Sequence, residues 1–499
     1  MPTARRITIG RLRTSRFILK GLAVAAALLP VGVQAHGFGQ RFDLPLPLWL
    51  WMTAAAASLV LTLVLMAAFG KARSDAPAKA FTLAVSPLAA RGVRVLQAMA
   101  LALFLLALAT GWFGSQDPYR NLVVTLVWVV WWVGLAFLCA LVGDVWALAS
   151  PISTLHDLLR AVLRRWRSRR GVLRYPGWLG AWPAVLVFLA FAWAELVWES
   201  KDVPAALAWA VSAYAIVTVV GMLTFGRAAW LSNAEAFGLV FSTFGRFAPI
   251  AGRHVGGRVQ LVLAPPGGRL HPGAAASPSM VVFVMAMLST VTFDGFKETE
   301  WMQQVEVWAT QSGPLSRMLF ALSERGVSET AALHTLVLLL FPLAFLALFL
   351  GTCGISERLA LFAGAPGPLR GVWELAGRFV FTLVPIAVAY HLSHYLGLLL
   401  TAGQLVVPLA SDPFGWGWDL FGTAGRGIDI GLASPSLVWY TAVALIVMGH
   451  VIAVMAAHRA AQVAFASNVA AVWSQVPMLV LMIGYTLLSL WILAQPIVG

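Results

Sequence analysis

His391 and His394 stand three residues apart in the stretch FVFTLVPIAVAYHLSHYLGLLLTAGQ, residues 379–404, with Tyr390 and Tyr395 beside them. The stretch is long and apolar enough to cross a bilayer, for which roughly 20 residues suffice. Residues at i and i+3 share one face of a helix. A pair of imidazoles in hydrocarbon is costly unless it meets a partner, a cavity or a metal. Pro385 removes a backbone donor just before the pair and predicts a kink. The bland alternative is that both histidines bond to neighbouring helices and only hold a bundle together.

Other chemistry-bearing residues fall at similar depth, taking about 1.5 Å per residue of helix. His334 lies near the outer start of the seventh apolar span. Asp294 lies near the outer end of the sixth, followed by Glu298 and Glu300. Asp412, Trp418 and Asp419 belong to the last outer loop, and His36 to an N-terminal arm. Histidine with carboxylate suits zinc, iron or copper. This predicts a divalent metal held by His391, His394, His334 and His36, with Asp294 as a further ligand or general base. Tyr390, Tyr395, Asp412 and Trp418 are the candidates for holding a substrate. His36 can offer an α-amine and a ring nitrogen only if it becomes the N-terminus; otherwise the arm packs through Phe38 and Phe42. His450 reads as a hydrogen-bonding residue, since buried polar groups are normally paired, although a b-type haem between His391 and His450 stays open. Glu195 reads as reaching the interface without a partner. The chain has no GxSxG, Walker A, HExxH or CxxCH motif, which removes the usual serine hydrolases, P-loop pumps, zincins and c-type haem proteins.

The elements that must position these residues are membrane helices. The chain of 499 residues is 60% hydrophobic and 11% charged, against about 25% charged in soluble domains. Residues 1–35 have the basic, apolar and small-residue regions of a cleaved signal peptide. An all-α, polytopic bundle of ten spans is predicted after it, in one transmembrane domain over 36–499. The net charge of +14 suggests nucleic acid, but its distribution does not. Loops 70–94, 143–177, 226–278, 352–378 and 458–475 hold 21 Lys and Arg, and the alternate segments hold 7. That bias places the former loops inside and both mature termini outside, in the periplasm of a bacterial inner membrane. The segment 143–177 reads as a basic amphipathic helix on anionic lipid. Loop 226–278 carries short strands around Val259–Leu263, or a plain loop. Residues 297–330 predict two short surface helices meeting at Gly313-Pro314, placed to cover an outward-opening site. Residues 401–435 form the last outer loop, of a kind that is often functional. Cys139 and Cys353 both fall in or next to apolar spans and give no disulfide framework.

Three runs, AHGFGQRFDLPLPLWLW at 35–51, LVPIAVAYHLSHYLGLLLTAGQ at 383–404 and SDPFGWGWDLFG at 411–422, resemble bacterial multi-pass proteins commonly labelled fenitrothion hydrolase. The resemblance extends over nearly the whole chain, FGRFAP at 244–249 included. It implies hydrolysis of organophosphorus triesters at the membrane and brings no catalytic motif with it. On that reading a metal polarises P=O or P=S and activates a water. The small apolar substrate arrives from the lipid bilayer. A transporter or metal-handling protein is the alternative, with the same histidines binding a cation in transit and Pro385 marking a broken helix. Assembly with another membrane subunit, identical or different, stays open.

Overall fold

A computed structural model describes residues 46–69, 80–81, 87–162, 171–255, 258–270, 274–365, 370–465 and 467–495. The expected signal peptide, the His36 arm and residues 163–170 of the basic segment lie outside them.

With no water in hydrocarbon, backbone groups must bond within their own segment, so apolar runs of this length fold as helices. Ten helices are long and apolar enough to span: α1 Leu48–Ala68, α2 Arg91–Phe113, α3 Leu122–Leu141, α4 Gly177–Leu196, α5 Pro204–Phe225, α6 Pro278–Lys297, α7 Glu329–Phe362, α8 Val372–Ser411, α9 Pro435–Ala464 and α10 Asn468–Leu493. The chain is therefore an all-α, multi-pass bundle, as the length of its apolar runs predicts. The most apolar stretches of α6 and α8 are each 78% buried, against 6% for α2. The two helices that carry Asp294 and the histidine pair thus form the centre, and α2 faces outward.

Two of the central helices are not regular. In α8 a helical turn at Val372–Phe379 gives way to a 3-10 segment, Val380–Leu383, and the α-helix restarts at Val384 with Pro385 in its first turn. The missing Pro385 N–H is harmless there, because first-turn N–H groups have no intrahelical acceptor. The expected kink is thus a restart. In α3, Thr125–Gly134 is wound as a π-helix, a form that tends to accompany functional positions. Helices α8 and α9 touch at Gly449, where a Cβ would stand 2.3 Å from the Ala389 Cβ. Ser393 also donates across this contact to the Ala442 carbonyl at 3.1 Å.

The arginine-rich loops meet on one face of the bundle. A three-stranded antiparallel sheet has the order β1–β3–β2, with β1 Ala80–Phe81, β2 Ile250–Val255 and β3 Arg258–Leu263. It ties loop 70–94 to loop 226–278 through the pairs Ala80–Val262 and Phe81–Leu261. Ile250 N–H donates to the Val142 carbonyl at 3.2 Å, bringing in the end of α3. On the opposite face, two short helices, Glu300–Gln311 and Gly313–Ser323, lie between α6 and α7 as expected. The first and last helices also meet: Met52 and Ala55 of α1 pack with Trp439, Val443 and Ile446 of α9 and Leu490 of α10.

Candidate functional site

On α8 the four polar rings pair at i, i+4. Tyr390 stacks on His394 with centroids 6.0 Å apart, and His391 meets Tyr395 edge-on at 4.7 Å. Side chains four apart lie one above the other on a helix, so the two pairs present neighbouring stripes, one toward α6 and one toward α3 and α4.

The first stripe ends on Asp294, in the last turns of α6. His394 Nε2 lies 2.9 Å from Asp294 Oδ2. The Tyr395 hydroxyl donates to the same oxygen at 2.7 Å. Lys297 Nζ stands 3.5 Å from Asp294 Oδ1, one turn along α6. The Tyr395 hydroxyl also lies 3.1 Å from Glu195 Oε1 at the end of α4. Lys201 caps that helix end, donating to the Glu195 carbonyl at 3.0 Å. Four side chains from three helices thus form one hydrogen-bonded chain, His394–Asp294–Tyr395–Glu195. A phenol has a single proton. It donates to one acid at a time, and the other contact is satisfied only if that acid carries a proton of its own.

Beside it, Tyr390 Oη and both ring nitrogens of His391 have no hydrogen-bond partner among the described residues, while the Trp132 indole N–H is turned toward Glu195 and Tyr395. His391 is 1% exposed. Its ring is held by Trp132 at 5.5 Å, Phe244 at 5.4 Å and Tyr395. An unmet buried donor or acceptor costs about 1–3 kcal/mol. These groups cluster beside the His394–Asp294–Tyr395–Glu195 chain.

The structure brings some of the expected residues into company and separates others. Asp294, His394, Tyr390 and Tyr395 are brought together. His391 turns away from Asp294 into its aromatic cage. His334 binds Glu306 of the surface helix at 2.8 Å, clasping that helix to α7. Among the described residues no group of three or more His, Cys, Asp or Glu is placed to hold a metal. With His394 on Asp294, His391 against rings and His334 on Glu306, the described members of the expected ligand set are not brought together, and His36 lies outside the described residues.

Asp412 is spent on its own loop, accepting from Trp416 N–H at 2.9 Å and Gly417 N–H at 2.7 Å. Trp418 packs on Phe414 and Trp416. That loop is anchored on the α2–α3 connection, where Ser115 N–H donates to the Phe414 carbonyl at 2.7 Å. Asp419 shapes it further. The Ala424 N–H and the Ser411 hydroxyl hold its carboxyl below the usual carboxylate range. Both acids therefore build the loop, and their contacts lie within it.

Two residues of the site escape sequence reasoning. Glu195 reads there as needing no partner, yet it terminates the chain of acids. The usable signal is an acid inside an apolar span, which is a functional candidate by default. Trp132 sits in a run of tryptophans and valines that carries no polar signal at all. His450 behaves as expected, its Nδ1 lying 2.8 Å from the Ile446 carbonyl. No protein-family model, curated protein or solved structure matches this chain.

Proposed function

We propose that this chain is a membrane-embedded hydrolase of apolar phosphorus triesters, with His394 as the general base. One observation carries the reading: the Asp294–His394–Tyr395 constellation beside the unpartnered hydroxyl of Tyr390. Asp294 accepts from His394 Nε2–H and so fixes the tautomer. The other nitrogen, Nδ1, makes no hydrogen bond among the described residues and is left basic. A carboxylate that orients a histidine in this way also stabilises the imidazolium that forms. Nδ1 takes a proton from water as its oxygen bonds to phosphorus. The bond from phosphorus to the aryl oxygen breaks, and the aryl oxide leaves and is protonated. The Tyr390 O–H is the donor for charge growing on the phosphoryl oxygen or sulfur, and preorganised donors of this kind often account for much of an enzyme's rate enhancement. No step is assigned to a metal ion. The substrate class comes from the family resemblance, and a lipid-soluble ester reaches this depth through the bilayer. The setting in this proposal is the inner membrane of a bacterium, with the site toward the periplasm.

The purified chain in lipid nanodiscs is expected to release nitrophenol from an aryl phosphorothioate triester. His394→Ala and Asp294→Asn are each expected to reduce turnover by about 10²–10⁴-fold, the range for general base catalysis. Undiminished turnover in both variants sinks the assignment.

A second reading has its own support. The bridge from Asp294 through Tyr395 to Glu195 extends beyond what a base needs, and it suits proton movement coupled to transport. Proton flux in proteoliposomes that disappears in Glu195→Gln, without any ester cleavage, decides for that reading.

A further inference from the structure

On the arginine-rich face, a cleft of about 1200 Å³ opens beside the short helices Pro151–Val162, Arg227–Asn233 and Ala236–Gly245. Its wall includes Asp144, Asp157, Arg160, Arg227, Glu235 and Arg246. The formal charges balance, but they are not equally available. Asp157 Oδ1 is 3.0 Å from His156 Nδ1 and 3.9 Å from Arg227 Nε. Asp144 caps the short helix Val145–Ala149, accepting from Ala147 N–H at 3.0 Å. Glu235 caps Ala236–Gly245, accepting from Gly238 N–H at 2.6 Å and from the Tyr214 hydroxyl. Burial pushes the Asp144 and Glu235 carboxyls up from their usual range, which weakens the negative side of the wall.

Arg246 is different. Its guanidinium lies over the Phe381 ring at 4.1 Å. It makes no ion pair and no side-chain hydrogen bond among the described residues, although it is half-buried. Neighbouring Arg269 instead spends its guanidinium on the carbonyls of Gly245, Ala248 and Ile250. Arg227 Nε is buried without a hydrogen-bond partner. The cleft therefore offers the Arg246 guanidinium, which has no acidic partner among the described residues, and Arg227, held only by Asp157 at 3.9 Å, with the hydroxyl-bearing Ser150 and Ser242 also in its wall. It sits just past the ends of α3 and α5.

We propose that this cleft binds a phosphate group, held by Arg246 and Arg227. Guanidinium forks match phosphate oxygens in geometry, and the volume far exceeds a lone small ion. The group is shared by a soluble phosphate and by the headgroup of an acidic phospholipid.

The test uses the full chain in maltoside micelles, which contain no phosphate. Melting temperature is followed on adding inorganic phosphate or short-chain phosphatidylglycerol, with chloride at equal ionic strength as reference. A rise with phosphate identifies a soluble ligand, and a rise with the lipid alone identifies a headgroup. Either binding is expected to weaken about ten- to a hundredfold in Arg246→Gln, the loss of one charged hydrogen bond. Should Arg246→Gln fail to fold, Arg227→Gln at the more exposed rim decides on the same readout. No rise with either probe, or an unchanged affinity in the variants, overturns the proposal.

Discussion

Asp294 receives three partners on two oxygens, so small changes around it have readable effects. Gly295 follows it on α6, and a Cβ there would lie 2.6 Å from the Tyr390 hydroxyl and 2.7 Å from Ile492 Cγ2. A mid-helix glycine replaced by alanine gains up to about 1 kcal/mol in propensity. Overpacking costs about 1–3 kcal/mol and wins where the neighbours cannot yield. Gly295→Ala is therefore expected to lower stability by about 1–2 kcal/mol, with Tyr390→Phe restoring part of it by removing the clashing oxygen. Denaturation of the single and double variants in detergent measures this, and strict additivity would show that the hydroxyl is not what the methyl meets. At this scale the sequence is only partly informative. Histidines in an apolar run announce themselves, but which way each ring turns depends on neighbours far along the chain. Asp294 is 100 positions from His394, and nothing local in α8 says that His394 finds it while His391 does not.

Among the elements, the α8–α9 contact is the one that fixes the site's backbone. Gly449 lets Ala389 and the Pro385 carbonyl approach, the latter 2.7 Å from a built Cβ. Small residues serve such close crossings in membranes, where helix association rests on packing and hydrogen bonds rather than on expulsion of water. Gly449→Ala is expected to destabilise by about 2–3 kcal/mol, because backbone rather than a mobile side chain must give way. Gly484→Ala is the control: nothing lies within 4 Å of a Cβ there, so it is expected to be neutral or slightly stabilising. Equal thermal melting of the two variants would contradict this account. The spans themselves are legible in the sequence, because apolar length alone specifies them. So are the two short helices around Gly313-Pro314, whereas the sequence leaves the segment near Val259–Leu263 open between strands and a plain loop. The π-wound stretch of α3 is not legible, because its sequence, TLVWVVWWVG, is equally at home in an ordinary helix.

For the whole molecule, charge is the legible quantity. The loops with the arginine excess are joined by the sheet and by the Ile250–Val142 bond, and the loops opposite are joined by the Ser115–Phe414 bond. A reporter active only outside the membrane is expected to work when fused after Gln495 and to be silent when inserted in loop 352–378; the reverse pattern would invert the orientation. One further property follows from α1 packing against α9 and α10. The ribosome delivers the first helix roughly 400 residues before the last, about 20–80 s at ordinary elongation rates. During that interval the α1 surface bearing Met52 and Ala55 has no partner from its own chain. Assembly of this protein therefore closes last at the span that is made first among those described.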